Sequence, residues 1–260
     1  GSEMCIRDRS ISALIGRWSI YLGITMNEEA VLIDLIKKRR SVRAYTHEPV
    51  NKKDISDILS AAAYTPSAFH AQPWRVYALT GRAKEEVTSK VLATFDGIVS
   101  GQINSEDYQE RQAISPKEWV EPYKSRRIEV GKALYSQLAI ERHDKVGRII
   151  QERKNYEFFG APVGLFLTAD KRLAIGAKRD IGSFIQSIVL LAVAKGLATC
   201  IQAAWVRFET LILPLIGASE VEELVCGIAL GYELHGDKAS NLPLHRLQVD
   251  DFTTWAGFED

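Results

Sequence analysis

The hydrophobic positions near the start of the chain repeat at helical spacing. Between Val31 and Ile36, apolar residues recur three and four positions apart, and Asn27 precedes two acidic residues that suit the positive end of a helix dipole. This pattern predicts a first helix that Asn27 caps and that ends near Arg40. A second helix is predicted from Asn51, because apolar residues return at the same spacing after it.

Four apolar runs further along the chain have the length and composition of strands. They are 74–80, which alternates and stops at Gly81, a continuous run from Pro162, 199–204, and 225–232. Helices are predicted at 83–99, at 117–143 as one helix or two, at 144–155, from Asp180 to Lys195, and at 208–216, with a long polar loop or lid at 100–116. The helices outnumber the strands and do not alternate with them regularly, which favours an α+β fold over a doubly wound one.

The chain has 260 residues, 46% hydrophobic and 25% charged, which is ordinary globular composition. No repeat, low-complexity tract or linker divides it, so one domain is predicted over residues 26–260. Residues 1–25 are predicted to be a tag and an upstream extension outside the native fold, because Met26 reads as a natural start. Polar residues interrupt the most apolar stretch, 181–205, so no membrane span is predicted.

Charge and cysteine content narrow the class of protein. Lys and Arg together number 33, as do Asp and Glu, and this balance argues against nucleic acid as the main partner. The three cysteines, Cys5, Cys200 and Cys226, form no C-x-x-C pair, so neither a disulfide framework nor a zinc site is predicted. A reducing, cytoplasmic setting is expected. Cys200 and Cys226 are expected to pack as small hydrophobes, since no neighbouring base is visible that would make either a nucleophile.

A basic cluster stands at the end of the first predicted helix. Arg39, Arg40, Ser41 and Arg43 fall within five residues of one another. Guanidinium groups make charge-assisted, often bidentate bonds to phosphate, so the cluster is typical of a phosphate site. A basic run at a helix end is also typical of a solvated face that complements the helix dipole. Charge alone leaves both interpretations open.

Further blocks of the sequence favour the phosphate site over the solvated face. R-R-S-V-R-A-Y is followed, in order, by P-S-A-F-H-A-Q-P-W, F-F-G-A-P-V-G-L-F, D-I-G-S-F-I-Q, G-L-A-T-C-I-Q-A-A-W and G-I-A-L-G-Y. Together with a late Arg246, these blocks resemble the FMN-dependent nitroreductase family, and G-L-A-T-C-I-Q-A-A-W is most similar to its nitrobenzoate-reductase branch. The resemblance covers about residues 26–258. It implies a nitroreductase-like α+β fold, with a central, mostly antiparallel sheet flanked by helices in an intertwined homodimer that holds FMN at its interface.

The resemblance also assigns residues to the cofactor. The basic cluster and Arg246 would hold the FMN phosphate and the polar edge of its ring system. The loop that begins at Pro66 would approach from the other subunit, and residues 201–204 would run beside the ring. The expected cofactor-binding residues are Arg39, Arg40, Ser41, Arg43, Pro66, Ser67, Ala68, His70, Gln72, Ile201, Gln202, Ala203, Ala204 and Arg246. Neither a catalytic side chain nor a metal ligand is expected.

Two positions depart from the family pattern. His70 stands where the family usually has asparagine. Neutral imidazole also offers one donor and one acceptor, so His70 is interpreted either as a cofactor contact or as a structural group. Ile201 stands where this branch often has proline, and that change is expected to be mild.

The function implied by the resemblance is that of an NAD(P)H-dependent oxidoreductase. It would reduce nitroaromatic or quinone-like acceptors by a ping-pong transfer of hydride through flavin N5. FMN would be the bound cofactor, NADH or NADPH the electron donor, and a small aromatic molecule the acceptor. Two alternatives stay open: a flavin or enone reductase or reductive dehalogenase on the same scaffold, and a non-catalytic flavin-binding redox module.

Overall fold

The computed structural model describes residues 27–108 and 115–258, and the predicted extension at residues 1–25 lies outside these ranges. Two compact units make up the chain, Gly1–Arg39 and Arg40–Asp260. A unit boundary therefore falls inside the domain predicted over residues 26–260, and the extent of that domain stays a prediction.

The described part of the first unit is helix α1 (Glu28–Lys38) with its flanking residues. The Asn27 side chain caps it by accepting a hydrogen bond from the backbone N–H of Glu29 at 3.0 Å. Near the other end, Lys38 pairs with Asp34 at 2.7 Å, one helical turn away. The predicted first helix and its cap are confirmed.

The second unit contains further helices and four strands among the described residues. The helices are α2 (Lys52–Ala62), α3 (Gly81–Val99), α4 (Tyr123–Gln137), α5 (Lys145–Arg153), α6 (Ile175–Ala194) and α7 (Glu209–Leu215). The strands are β1 (Arg75–Thr80), β2 (Val163–Asp170), β3 (Ala198–Gln202) and β4 (Glu222–Gly231). Short 3-10 helices occupy Ala68–His70, Ser105–Tyr108, Lys154–Gly160, Ala203–Phe208, Lys238–Ser240 and Val249–Asp251. Within the described ranges, no helix combines the length and the apolar character needed to cross a membrane.

The four strands form one antiparallel sheet in the order β1-β2-β4-β3. β2 and β4 are central, and their pairing places Leu165 opposite Ile228. Nearly every residue of β2 is buried, as its continuous apolar run predicts. The α+β class and the antiparallel sheet are confirmed.

Both faces of this sheet are covered. On one face, α2 and α6 pack over a core that includes Phe184 and Leu167. On the other face lies an aromatic cluster around Trp205. The centroid of the Trp205 ring is 4.4 Å from that of Phe158 and 5.2 Å from that of Phe166, which it meets edge-on. Such ring pairs add stability beyond the area that they bury.

The most apolar helix begins earlier than predicted. α6 starts at Ile175, not at Asp180. The predicted start was wrong because Asp180 lies inside the helix, where its carboxylate has a partner outside α6. The carboxylate accepts a hydrogen bond from the backbone N–H of Ala68 at 3.0 Å. The predicted end is confirmed, since Gly196 follows the helix with a φ of +75°.

The third strand is shorter than the predicted 199–204. β3 ends at Gln202, and the 3-10 helix Ala203–Phe208 begins directly after it. Trp205 and Phe208 are both fully buried. Their spacing of three residues places both side chains on one side of a 3-10 turn, whereas a strand would point them to opposite faces.

The segment 117–143 also contains less helix than predicted. α4 begins only after Pro122, which occupies the N-cap position, and Ala139 follows its end with a φ of +53°. The charged segment after it forms helix α5, as predicted. Its cap is Asp144, whose carboxylate accepts from the backbone N–H of Gly147 at 2.8 Å.

Gly227 of β4 lies against the Trp205 ring, where a Cβ atom would stand 2.8 Å from Nε1. We expect Gly227→Ala to lower the free energy of unfolding by about 1–3 kcal/mol, because an extra methyl group in a close-packed core forces its neighbours to shift. Urea denaturation followed by tryptophan fluorescence measures the change. The matched control is Gly176→Ala in α6, where no heavy atom lies within 4 Å of the added Cβ. Equal losses of stability in the two variants would contradict the expectation.

Glu222 is a buried carboxylate at the start of β4. It accepts hydrogen bonds from the Tyr77 hydroxyl at 2.9 Å, from the Thr168 hydroxyl and from the backbone N–H of Ser219 at 3.0 Å. Burial alone raises the pKa of Glu222. The hydrogen bonds from Thr168, Ser219 and Tyr77 outweigh burial, so the pKa lies below its ordinary value of 4.5.

Because the pKa of Glu222 is lower in the folded state than in the unfolded state, its carboxylate stabilises the fold at neutral pH. That stabilisation is lost as the pH falls below the ordinary value of 4.5. We expect Glu222→Gln to lower the free energy of unfolding at about pH 7 and to have a smaller effect at about pH 3. Urea denaturation at a series of pH values measures both, with the exposed Glu220→Gln as control. An effect of Glu222→Gln that is the same at every pH would refute this role.

Candidate functional site

The part of the predicted basic cluster around Ser41 lies beside strand β3. Ser41 bridges Thr199 in parallel orientation, and the backbone N–H of Val42 donates to the carbonyl oxygen of Thr199 at 3.0 Å. Thr199 precedes Ile201 by two residues. The fold therefore brings together two blocks of the sequence that were predicted to contact one cofactor.

Arg43 is held from two directions. Its NH1 donates to the carbonyl oxygens of Ser41 at 3.2 Å and Ala239 at 3.0 Å. Its backbone N–H donates to the Ser240 hydroxyl oxygen at 2.8 Å, and Ser240 in turn donates to Asp237. Both side-chain bonds come from NH1, and Nε and NH2 have no hydrogen-bond partner in the described part of the chain. A guanidinium oriented in this way keeps the donors that bind an oxyanion.

Arg40 already has a carboxylate partner. Its NH2 lies 2.5 Å from Oε2 of Glu233, which follows β4. The Arg40 side chain is 41% exposed and that of Glu233 10%. Because the Arg40 side chain is still partly exposed and only its NH2 is engaged by Glu233, its other guanidinium donors can bind a second anion. This partner could not be predicted from the sequence, since Glu233 lies 193 residues from Arg40 along the chain.

Arg39 and Arg246 are the other two arginines that the sequence assigns to the phosphate. Arg39 ends the first unit, where its backbone N–H donates to the carbonyl oxygen of Leu35 at 3.0 Å. Arg246 is exposed in the C-terminal segment. Their assignment to a phosphate stays a prediction from the sequence.

The end of β3 presents one exposed apolar side chain and a buried amide. Ile201 is 42% exposed, although its strand neighbours Cys200 and Gln202 are buried. The Gln202 side chain donates to the carbonyl oxygen of Asn155 at 2.7 Å and accepts from Trp205 Nε1 at 3.3 Å. Gln202 therefore fixes the shape of this segment with its side chain, and only its backbone is left for a ligand.

Ala203 and Ala204 follow in the 3-10 helix, where Ala203 is exposed and Ala204 half-buried. Neither carries a side chain that could crowd a ring lying beside Ile201. The structure thus places the exposed Ile201 side chain next to two small residues, which is a surface that a flat apolar group can cover.

The loop from Pro66 to Gln72 has an unusual backbone. Phe69, His70 and Gln72 have φ values of +54°, +57° and +45°. Positive φ is uncommon for residues other than glycine, and it occurs more often at binding sites. The loop is exposed, apart from the half-buried Ser67, whose hydroxyl oxygen accepts from the backbone N–H of Gln72 at 2.9 Å.

His70 contacts Gln72 in the same loop. The two Nε2 atoms lie 2.9 Å apart. The Gln72 amide nitrogen can donate to the His70 ring nitrogen, which makes this a contact within the loop. His70 also adopts the left-handed backbone region, in which asparagine and histidine are enriched. The structural interpretation of His70 has this support, and a contact to the cofactor stays a prediction.

Helix α6 anchors this loop. Asp180 accepts from the backbone N–H of Ala68 at 3.0 Å, and the Ser187 and Thr65 hydroxyl oxygens lie 2.7 Å apart. Trp74, just beyond the loop, stacks on Phe184 of α6 with ring centroids 4.5 Å apart. Sequence reasoning missed Asp180 and Ser187. The only signal was their spacing on one face of a helix, which does not name the loop that they contact.

The sheet register relates the loop to the segment after β3. Arg75, where the loop enters β1, is opposite Thr168, and Gln202 is opposite Gly227. The start of β1 and the end of β3 both lie toward the Glu222 end of β4. They lie on opposite edges of the sheet, however, and three strand spacings separate them by about 14 Å in the direction across the strands.

The cysteines of the second unit are packing residues, as predicted. Cys200 and Cys226 are both buried, and Cys5 lies outside the described residues. Burial raises the pKa of the Cys226 thiol to about 12, so it is protonated at neutral pH.

We expect Asp180→Ala to free the backbone N–H of Ala68 from its acceptor. Because hydrogen bonds to charged groups contribute about 1.5–3 kcal/mol, amide exchange at Ala68 should become about 10-fold faster or more. Hydrogen–deuterium exchange with peptide resolution over residues 65–73 measures this. Asp180→Asn keeps one acceptor oxygen and should give an intermediate rate. Ser183→Ala, on the same helix, is the control and should have no effect; unchanged exchange in Asp180→Ala would show that the bond does not hold the loop.

Comparison with known proteins is consistent with this geometry. The sequence model of the Nitroreductase family matches residues 36–232. The chain is 39% identical to 4-nitrobenzoate reductase of Nocardioides sp. (strain LMS-CY) over 227 residues, which cover 87% of this chain and 90% of that protein. It is 32% identical to 4-nitrobenzoate reductase of Pseudomonas putida, with 86% and 95% covered.

Solved structures show the same relationship. The fold superposes on the FMN and NADPH-dependent nitroreductase NfnB of Sphigopyxis sp. strain HMH with a TM-score of 0.82 and 35% sequence identity. The superposition covers 87% of this chain and 99% of that one. The chain therefore belongs to the nitroreductase family.

Proposed function

We propose that this protein is an FMN-dependent NAD(P)H oxidoreductase that reduces nitroaromatic or quinone-like acceptors. The observation that carries the proposal is the likeness to 4-nitrobenzoate reductases, which extends over 87% of this chain. The structurally similar protein of Sphigopyxis is described as FMN and NADPH-dependent, which supports FMN as the cofactor and NADH or NADPH as the donor here.

The residues beside β3 fit a flavin mononucleotide. Arg43 would bind a phosphate or a polar ring edge through Nε and NH2, while NH1 stays on the Ser41 and Ala239 carbonyl oxygens. Arg40 would share its charge between Glu233 and the phosphate. The exposed Ile201 side chain would pack against the apolar part of the ring, with the backbone N–H groups after it facing the polar edge.

The chemistry that FMN supplies when bound is two-electron transfer from NADH or NADPH to the acceptor, in two successive half-reactions at one site. The arginines and backbone N–H groups stabilise negative charge on whatever group they face, because fixed donors need little reorganisation. The apolar surface at Ile201 excludes water from one side of the site. No side chain is required as an acid, a base or a nucleophile.

We further propose that the protein is a cytoplasmic homodimer, in which Pro66, Ser67 and Ala68 reach the cofactor of the partner. The separation of this loop from β3 supports the arrangement, because the two lie on opposite sheet edges. Exposed aromatic side chains support it as well. Tyr64 is 92% exposed and Phe69 fully exposed, and Phe252, Trp255 and Phe258 of the C-terminal segment are exposed as well. Burying such surface is typical of obligate dimers.

A visible spectrum of the purified full chain tests the function. We expect a flavin band that NADH or NADPH bleaches under anaerobic conditions and that returns when 4-nitrobenzoate is added. A band that the donor does not bleach would favour a non-catalytic flavin-binding module. A band that returns only with an enone, a free flavin or a halogenated acceptor would favour the other reductases. A protein that stays colourless after addition of FMN would overturn the proposal.

Arg43→Ala should weaken FMN binding by about 10-fold or more, because each charged hydrogen bond contributes about 1.5–3 kcal/mol. Titration of the apoprotein with FMN, followed by quenching of flavin fluorescence, measures the dissociation constant. Arg43→Lys keeps the charge without the planar guanidinium group, and its FMN affinity should lie between those of the unmodified protein and Arg43→Ala. The exposed Arg82→Ala of α3 is the control. Thermal unfolding of each apoprotein separates lost binding from lost folding, and full FMN affinity in a folded Arg43→Ala variant would count against the assigned role.

A further inference from the structure

A cleft of about 750 Å³ lies between the C-terminal part of α4 and the start of α5. This volume is within the range of sites that hold small molecules. The residues that decide its chemistry are Ile128, Lys132, Tyr135, Ile140, Arg142 and Arg148. Nothing in the proposed function uses this cleft.

The cleft has an excess of positive charge. Lys132, Arg142 and Arg148 line it, against a single carboxylate from Glu141. Within residues 27–108 and 115–258, none of the three cations forms a salt bridge. Arg153 of α5, by contrast, is paired with Asp96 at 3.0 Å. Three cations that share one concave surface without acid partners favour an anionic ligand.

Arg148 is positioned by an aromatic ring. Its guanidinium carbon lies 5.1 Å from the centroid of the Tyr135 ring. Its Nε is buried, and in the described part of the chain it has no hydrogen-bond partner. A buried donor without an acceptor is unusual in a folded protein and calls for an explanation. A guanidinium stacked on a ring still presents its edge to a planar oxyanion, and a small turn of the group would bring Nε into such a bond.

We propose that this cleft binds a small oxyanion that carries a flat aromatic ring system, with the carboxylate or phosphate group attached to the ring directly or through a sugar. Arg148, Arg142 and Lys132 bind the oxyanion. The Tyr135 ring and the aliphatic side chains of Ile128 and Ile140 contact the ring system. Carboxylates and phosphates share the geometry that a guanidinium fork recognises, so the experiment has one arm for each.

Isothermal titration calorimetry of the purified full chain, with FMN present, tests the proposal. The probes are benzoate and adenosine 2′-phosphate, each compared with an uncharged analogue, benzamide or adenosine. We expect at least one anion to bind about 10-fold more tightly than its analogue, which corresponds to about 1.4 kcal/mol. Its affinity should fall as the salt concentration rises. The probe that binds identifies the source of the oxyanion, and equal affinity for both members of each pair would overturn the proposal.

Variants assign the binding to this cleft. Arg148→Met and Arg142→Gln should each weaken binding of the anion by about 10-fold, which corresponds to about 1.4 kcal/mol. The matched control is Arg126→Met on α4, whose guanidinium lies 5.7 Å from the Tyr123 ring centroid and outside the cleft. It should bind the anion like the unmodified protein. Should Arg148→Met fail to fold, as judged by thermal unfolding, Arg142→Gln decides.

Anion binding that is unchanged in every folded cleft variant would place the ligand elsewhere and refute the site. The test measures binding alone, and bleaching of the flavin band by NAD(P)H is expected to be unchanged in all three variants. Failure of the cleft and failure of the proposed function are therefore distinguishable.

Discussion

Burial of strands β2 and β4 on both faces is the constraint on which the rest of the structure depends. Their side chains fill the core between the α2–α6 layer and the aromatic cluster, and the Glu222 carboxylate is hydrogen-bonded at one end of β4. The sheet interior is therefore closed to any ligand. Chemistry has to take place at the two edge strands, β1 and β3, and both segments assigned to the cofactor adjoin those strands. A sheet of this kind suits a protein whose site is completed by a second copy, because its edges are the parts that a partner can reach.

The arginines show how local pairing decides what a cation is available to do. Arg153 is fully engaged by Asp96 and Glu157, and it ties α5 to α3. Arg43 uses one nitrogen for the protein and holds the others in a fixed direction. Arg148 stacks on Tyr135 and has no acid partner among the described residues. Identical side chains thus range from purely structural to ready for a ligand, and the difference comes from the acceptors that the fold places around each.

The sequence predicted those features whose cause is local. The caps at Asn27 and Asn51, the buried run of β2 and the glycine stop after α6 all follow from residues within one turn or one strand. Features that depend on distant contacts could not be predicted in this way. The Asp180 carboxylate accepts from the backbone N–H of Ala68, 112 residues away along the chain. The sequence predicted Asp180 as the start of α6, whereas the helix begins at Ile175.

The same distinction between local and distant causes applies to the candidate site. The blocks around Arg43, Ser67 and Ile201 could be found from the sequence, because each is a short run of residues that resembles a family motif and they follow one another in the same order. The groups that orient them could not. Glu233, Ser240 and Asp180 are ordinary polar residues until the fold brings them to Arg40, Arg43 and Ala68.

The left-handed backbone of the loop at Phe69, His70 and Gln72 limits which sequences this site can sample in evolution or in a designed library. Branched side chains at position 70 would raise the energy of the folded loop before any ligand is considered, whereas asparagine, aspartate, glycine and histidine are tolerated. Histidine and asparagine are thus exchangeable in backbone terms although their side chains differ in shape and acidity. Position 70 is a place where a lineage can change the side-chain chemistry of the loop without changing its backbone.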